Sequence, residues 1–139
     1  MPPSNMPTKA SILIACGNTS FAERFTGILA EEFMLEVLDH GPSTCTTIAK
    51  SHPHLVLLDP ELFSDSLAET VTKILKTTPH TRIIVLERPT GIPVDQIILF
   101  KAGVHGFCAV DIRPDLLVKA AHAVCNGDIW VPRQLIAQL

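Results

Sequence analysis

Leu55-Val56-Leu57-Leu58-Asp59-Pro60 is four apolar residues running straight into a carboxylate, with a proline immediately after. An uninterrupted apolar run of this length suits a strand buried on both faces, as in a parallel sheet between two layers of helices. Pro60 has no N–H to give to a ladder, so the strand ends there. Asp59 then lies at the carboxyl end of a central strand, the rim outside which open α/β sheets bind their ligands. A plainer role for the same residue is to cap the turn that follows.

Working upstream, Ala10-Ser11-Ile12-Leu13-Ile14-Ala15 reads as a first buried strand, broken by Cys16-Gly17-Asn18. Thr19 or Ser20 can cap the next helix. Phe21, Phe25, Ile28, Leu29 and Phe33 recur at helical spacing as one apolar stripe, with Glu23, Arg24, Glu31 and Glu32 on the wet face. Residues 35–38 make a short second strand, closed by Asp39-His40-Gly41-Pro42. A small helix then runs from Ser43 or Thr44 to about Ser51, anchored by Ile48 and Ala49.

Downstream of Asp59, Ser64 or Asp65 caps a third helix with Leu67, Val71, Ile74 and Leu75 inward. Thr77-Thr78-Pro79-His80 turns the chain into a fourth strand over residues 82–87. Pro89-Thr90-Gly91-Ile92-Pro93 is turn-rich. A fourth helix spans residues 94–102, and Gly103 ends it in the usual C-terminal glycine position. Residues 105–109 form a fifth strand. Asp111 or Pro114 opens a fifth helix, with Leu117, Ala120, Ala121 and Val124 inward and Asn126-Gly127 at its close. Strand and helix alternate five times. The α/β pattern predicts a five-stranded parallel sheet with helices on both faces, and right-handed crossovers favour the flavodoxin-like order 2-1-3-4-5. Cys16-Gly17, Asp59, Glu87-Arg88 and Val110-Asp111 then converge on one rim.

The 139 residues suit a single domain. A hydrophobic share of 47% against 18% charged fits a sheet covered on both sides. The net charge of −3, with no basic run, points to no nucleic acid and no membrane as direct partner. Cys16, Cys45, Cys108 and Cys125 show no C-x-x-C spacing, so they read as reduced, small hydrophobes and not as a zinc or dithiol motif. The histidines are scattered without H-x-x-x-H spacing. No G-x-G-x-x-G, P-loop or G-x-S-x-G occurs, which leaves nucleotide binding and hydrolase chemistry without support. Residues 1–8 read as a flexible tail with no signal-peptide pattern, and no apolar run reaches the roughly 18 residues of a membrane span. The expected compartment is the cytosol.

Three further stretches carry a family resemblance: Lys101-Ala102-Gly103-Val104-His105-Gly106-Phe107, then Pro114-Asp115-Leu116-Leu117, then Asn126-Gly127-Asp128-Ile129-Trp130-Val131-Pro132. Together with His54-Leu55-Val56-Leu57-Leu58-Asp59 they make residues 9–135 resemble a response-regulator receiver domain of the NarL/FixJ branch. The resemblance implies a receiver-like domain over residues 9–127. Residues 128–139 would begin a linker toward a helix-turn-helix output domain that this chain does not contain. It places Asp59 at the phospho-acceptor position. It also implies a non-enzymatic regulator of signal transduction or transcription.

Several positions depart from the family pattern. A working receiver has two acidic residues after strand 1 that hold magnesium; here they read Cys16 and Gly17. Its threonine or serine after strand 4 reads Glu87, and its lysine after strand 5 reads Val110. Phosphoryl transfer needs its equatorial oxygens neutralised by a metal or fixed cations. This set therefore predicts a pseudo-receiver with weak or absent magnesium binding and no dedicated metal or cofactor. Arg88, at the same rim, could pair with Asp59 or Glu87, or simply point to solvent. Phe107, at the family's switch-aromatic position, is expected as a fixed ring. Ile97-Ile98-Leu99-Phe100 is more apolar surface than one helix face buries. Ile97, Ile98 and Leu99 thus suggest either deeper burial or a homodimer or partner-protein face built from helix 4, strand 5 and helix 5. Two alternatives stay open. Asp59 could be a true phospho-acceptor with Glu87 as a substitute metal ligand, or the remodelled pocket near Cys16 could sense a small ligand or redox state, with Cys108 nearby.

Overall fold

The computed structural model describes residues 9–63, 66–89 and 94–139. Strands β1 (Ser11–Ala15), β2 (Met34–Leu38), β3 (Leu55–Leu58), β4 (Arg82–Glu87) and β5 (Gly106–Ala109) form one parallel sheet in the order β2-β1-β3-β4-β5. Helices α1 (Thr19–Leu29), α2 (Thr44–Ser51), α3 (Leu67–Thr77), α4 (Gln96–Ala102) and α5 (Pro114–Cys125) alternate with the strands, and a short α6 (Arg133–Ala137) follows. This is the flavodoxin-like fold expected from the strand pattern.

The apolar run of β3 is uninterrupted because successive side chains serve opposite layers. Leu55 and Leu57 join a cluster with Phe25 and Leu29 of α1 and Leu117 and Ala121 of α5. Val56 and Leu58 join the other cluster, with Ile48 of α2, Val71 and Ile74 of α3, and Leu99 of α4. Each fully buried side chain of this kind contributes about 1.5–3 kcal/mol over its exposed state, so a polar residue anywhere in β3 would be costly. The edge strand β2 lacks this constraint, and it exposes Met34, Glu36 and Val37.

Helix ends differ from the sequence reading where a neighbouring side chain caps better. Asn18, and not Thr19 or Ser20, caps α1, its Oδ1 accepting the Phe21 N–H at 3.0 Å. Ser66 caps α3 through the Glu69 N–H at 3.4 Å, while Ser64 and Asp65 lie outside the described residues. α4 starts at Gln96, two residues late, because Asp95 accepts the Ile98 N–H at 3.1 Å. Gly103 ends it at φ 117°, in the left-handed region that favours glycine. The tail 1–8 and residues 90–93 of the turn-rich loop also lie outside the described residues. The segment expected as a linker returns to the sheet: Trp130 bridges Gly106 on the free edge of β5, and Leu135 of α6 is buried.

His105 supports the amino end of the sheet. Its Nδ1 accepts the Ile83 N–H at 3.1 Å, and Arg82 Nη1 lies 3.2 Å from Nε2. Burial, with the Arg82 charge added, holds its pKa below the ordinary 6.5. The folded state thus favours neutral imidazole. Its contribution to stability is complete above about pH 6.5 and declines as pH falls through that value toward the lower folded pKa. Urea denaturation from pH 7.5 down to 5 is expected to show this loss, and His105→Gln is expected to flatten the slope. An unaltered slope in the variant would assign the pH dependence to other groups.

Candidate functional site

Asp59 follows directly on β3, and its N–H continues the ladder by donating to the Ala15 carbonyl at 2.9 Å. The side chain is 1% exposed. Such a carboxylate needs donors, since an unpaired buried charge costs several kcal/mol. Oδ1 accepts the Glu61 N–H at 3.2 Å, which makes Asp59 the cap of the 3-10 turn Pro60–Leu62. Oδ2 accepts from Arg88 Nη2 at 2.5 Å, and the Cys16 thiol lies 3.4 Å from the same oxygen. Asp59 thus caps the turn after β3 and also pairs with Arg88 at the rim.

Arg88 leaves the end of β4 and closes the site. One arm of its guanidinium holds Asp59, and the other holds the Glu61 carboxylate. Its Cζ lies 5.0 Å from the centre of the Phe21 ring. Its Nε is buried without a hydrogen-bond partner among the described residues. Burial alone would lower the Arg88 pKa, but the charges of Asp59 and Glu61 outweigh it and hold it above its ordinary value. The guanidinium fork suits two carboxylates at once, as a point charge would not.

The other rim positions are committed elsewhere. Glu87 turns toward α4, its Oε1 accepting from Gln96 Nε2 at 2.8 Å, and it does not pair with Arg88. Val110 is 2% exposed and packs in the α1–α5 layer. Its carbonyl accepts from Arg24 Nη1 at 3.1 Å, and the Ile112 carbonyl from Arg24 Nη2 at 2.5 Å. Arg24, assigned to the wet face by periodicity, is instead half-buried and pins the loop between β5 and α5. Phe107 is a core ring, 5% exposed, in the α2–α4 layer. Of the three residues suggested for a partner face, Leu99 is buried in that same core, Ile97 is half-buried, and only Ile98 is exposed.

A magnesium ion beside Asp59 does not fit the residues present. Magnesium takes oxygen ligands in near-octahedral geometry. Oδ2 of Asp59 is held by Arg88, and the Cys16 thiol stands 3.4 Å from the same oxygen. Burial pushes Cys16 up to about 11, with the Asp59 charge adding to it, so sulfur there stays protonated. At Gly17 an added Cβ would already lie 3.3 Å from Leu62 Cδ1, so Leu62 fills the approach a carboxylate at 17 would use. Among the described residues, no three His, Cys, Asp or Glu side chains gather into a metal-holding group.

No protein-family model matches the chain. No curated protein matches it either. Solved structures do. A LuxR-family two-component response regulator from Aurantimonas sp. SI85-9A1 aligns with a TM-score of 0.76 and 18% identity, over 94% of this chain and 94% of that one. A LuxR-family DNA-binding response regulator from Silicibacter pomeroyi gives 0.71 and 18%, over 91% and 98%. The chain has the receiver fold. A third receiver-fold neighbour is the N-terminal domain of a response regulator/sensory box/GGDEF protein from Carboxydothermus hydrogenoformans, at 0.72 and 18%, over 84% and 94%. Identities this low carry the receiver fold and not the pocket chemistry. Among the described residues, no helix of this receiver fold is long and apolar enough to cross a membrane.

Proposed function

We propose that this chain is a pseudo-receiver: a phosphorylation-independent regulatory module of a cytoplasmic signal-transduction or transcription regulator, working through protein contact or dimerisation. The observation that carries this reading is the ion pair of Arg88 with Asp59. In this reading the guanidinium stands where a working receiver needs magnesium and a lysine. It neutralises the acceptor carboxylate permanently and covers the oxygen that would attack a phosphoryl donor. Glu87, bonded to Gln96, and Val110, buried, supply neither a hydroxyl nor a cation to follow a phosphoryl group. The exposed Ile98 on α4 supports a contact surface on the α4–β5–α5 side, with a second copy or a partner protein as occupant and no role for nucleic acid or membrane. Magnesium binding is expected to be weak or absent.

Incubation with magnesium and acetyl phosphate is expected to leave the mass of the protein unchanged. A stoichiometric, acid-stable and hydroxylamine-labile phosphoprotein would establish Asp59 as a true acceptor instead. The small-ligand reading has one observation in its favour, an open groove of about 480 Å3 beside Cys16 and Gly17, lined also by Ala22, Thr26, Val37 and Asp39. Redox sensing has less support, because burial keeps the thiols of Cys16 and Cys108 protonated, near 11 and 12 respectively.

A further inference from the structure

We infer that residues 129–137 form a releasable strap that masks the free edge of β5. β5 ends the sheet in the order β2-β1-β3-β4-β5, so its outer backbone groups are open to any added strand. The chain covers them itself. Trp130 N–H donates to the His105 carbonyl at 3.0 Å, and Phe107 N–H donates to the Trp130 carbonyl at 2.9 Å. Glycine at 106 suits this approach, since a Cβ there would lie 3.0 Å from the Trp130 carbonyl oxygen and 3.1 Å from its Cβ, tighter than most side chains pack. Beyond Pro132, α6 lowers Leu135 into the α2–α4 layer, where it is 3% exposed.

Beyond these bonds and Leu135, the strap is held by the half-buried Trp130 and Val131, which pack against the edges of the two core layers. Ile129 and Ile136 are 47% and 54% exposed. α6 has five residues and no side-chain cap, too short to persist once detached. An open groove of about 530 Å3 separates Leu135 and Gln138 from Val94 and Ile97 at the start of α4, so α6 lies against α4 without sealing. Gly127, at φ 95°, turns the chain between α5 and the strap. A segment with one fully buried side chain and two edge hydrogen bonds opens at a lower free energy than the core it covers. Opening it exposes the β5 edge and the seat of Leu135. The inference does not depend on how Asp59 is occupied.

Amide hydrogen exchange followed by NMR tests it directly. In the wild-type chain the Trp130 and Phe107 amides are expected to exchange at least ~100-fold faster than those of β3 and β4. Equal protection would make the strap part of the global unit and overturn the inference. Leu135→Asp is expected to strip the remaining protection from Trp130 and Phe107 while leaving β1, β3 and β4 unchanged. Protection lost throughout the sheet, or unaltered at Phe107, would also overturn it.

Discussion

Arg88→Ala is expected to destabilise the domain by about 3 kcal/mol, measured by urea denaturation at neutral pH. The physical reason is asymmetric. Asp59 is 1% exposed and the Arg88 side chain 19%, so removing the cation strands the deeper partner. What remains for the carboxylate is one backbone N–H, from Glu61, and a weak thiol donor, Cys16. Breaking a buried pair from one side costs about 3–5 kcal/mol, and the partial exposure of Arg88 lets water follow it, which sets the lower end of that range. Removing the charge from the other side is gentler. Asp59→Asn keeps an oxygen for the Glu61 N–H, and Arg88 keeps the Glu61 carboxylate and the Phe21 face, so a loss of about 1–2 kcal/mol is expected. Arg88→Lys keeps the charge but not the fork, and it should fall between the two. In the Arg88→Ala background, Asp59→Asn should recover stability, a coupling that a double-mutant cycle isolates. If Arg88→Ala lies within about 0.5 kcal/mol of wild type, the pair is a surface contact and the closed-pocket reading fails.

The sheet was legible because burial on both faces leaves no room for alternation. In β1, β3 and β4 the runs Ile12–Ala15, Leu55–Leu58 and Ile83–Leu86 are buried at every position. The topology then followed from strand–helix alternation, and it brought Cys16, Gly17, Asp59, Glu87 and Arg88 to one rim. Helix ends were less legible, because Asn18, Ser66 and Asp95 win as caps through reach and backbone angle, which composition does not encode.

The partners at the rim were harder still. Arg88 had three plausible destinations, and the choice rests on the 3-10 turn after Pro60, which swings Glu61 to the second arm of the guanidinium. Phe21 was readable as core stripe but not as the ring beneath a cation. Arg24 sits next to the buried stripe of α1, and its length lets it reach two carbonyls past β5. The one available signal was the spacing Asp59-Pro60-Glu61, a second carboxylate two residues past the first. The return of residues 128–139 to the sheet was hidden for a similar reason. Gly106 and Trp130 are distant in sequence, and their close approach appears only once β5 is placed at the edge.

Rebuilding the pocket is expected to give the rim a response to magnesium. In the wild-type chain, the melting temperature is expected to be the same with and without magnesium if, as proposed, Arg88 takes the cation's place. In the triple variant Cys16→Asp, Gly17→Asp, Arg88→Ala the situation reverses. A carboxylate at 16 would stand where the thiol now approaches Asp59 Oδ2 at 3.4 Å. One at 17 would have to push aside the Leu62 side chain, whose Cδ1 lies 3.3 Å from an added Cβ and is the flexible end of that residue. Without metal, three gathered carboxylates and no cation make the variant markedly less stable than wild type. With magnesium, the same three provide a hard oxygen site, and binding to the folded state alone adds RT ln(1 + [Mg]/Kd), about 1.4 kcal/mol at tenfold excess over Kd. The readout is the difference between two melts of one protein, so a general loss of stability in the variant cancels. A magnesium-dependent rise in the variant together with none in the wild type is the expected pattern. Equal responses in both would mean that Arg88, Cys16 and Gly17 do not decide metal access, and that the ion pair over Asp59 opens readily enough for an ordinary receiver cycle.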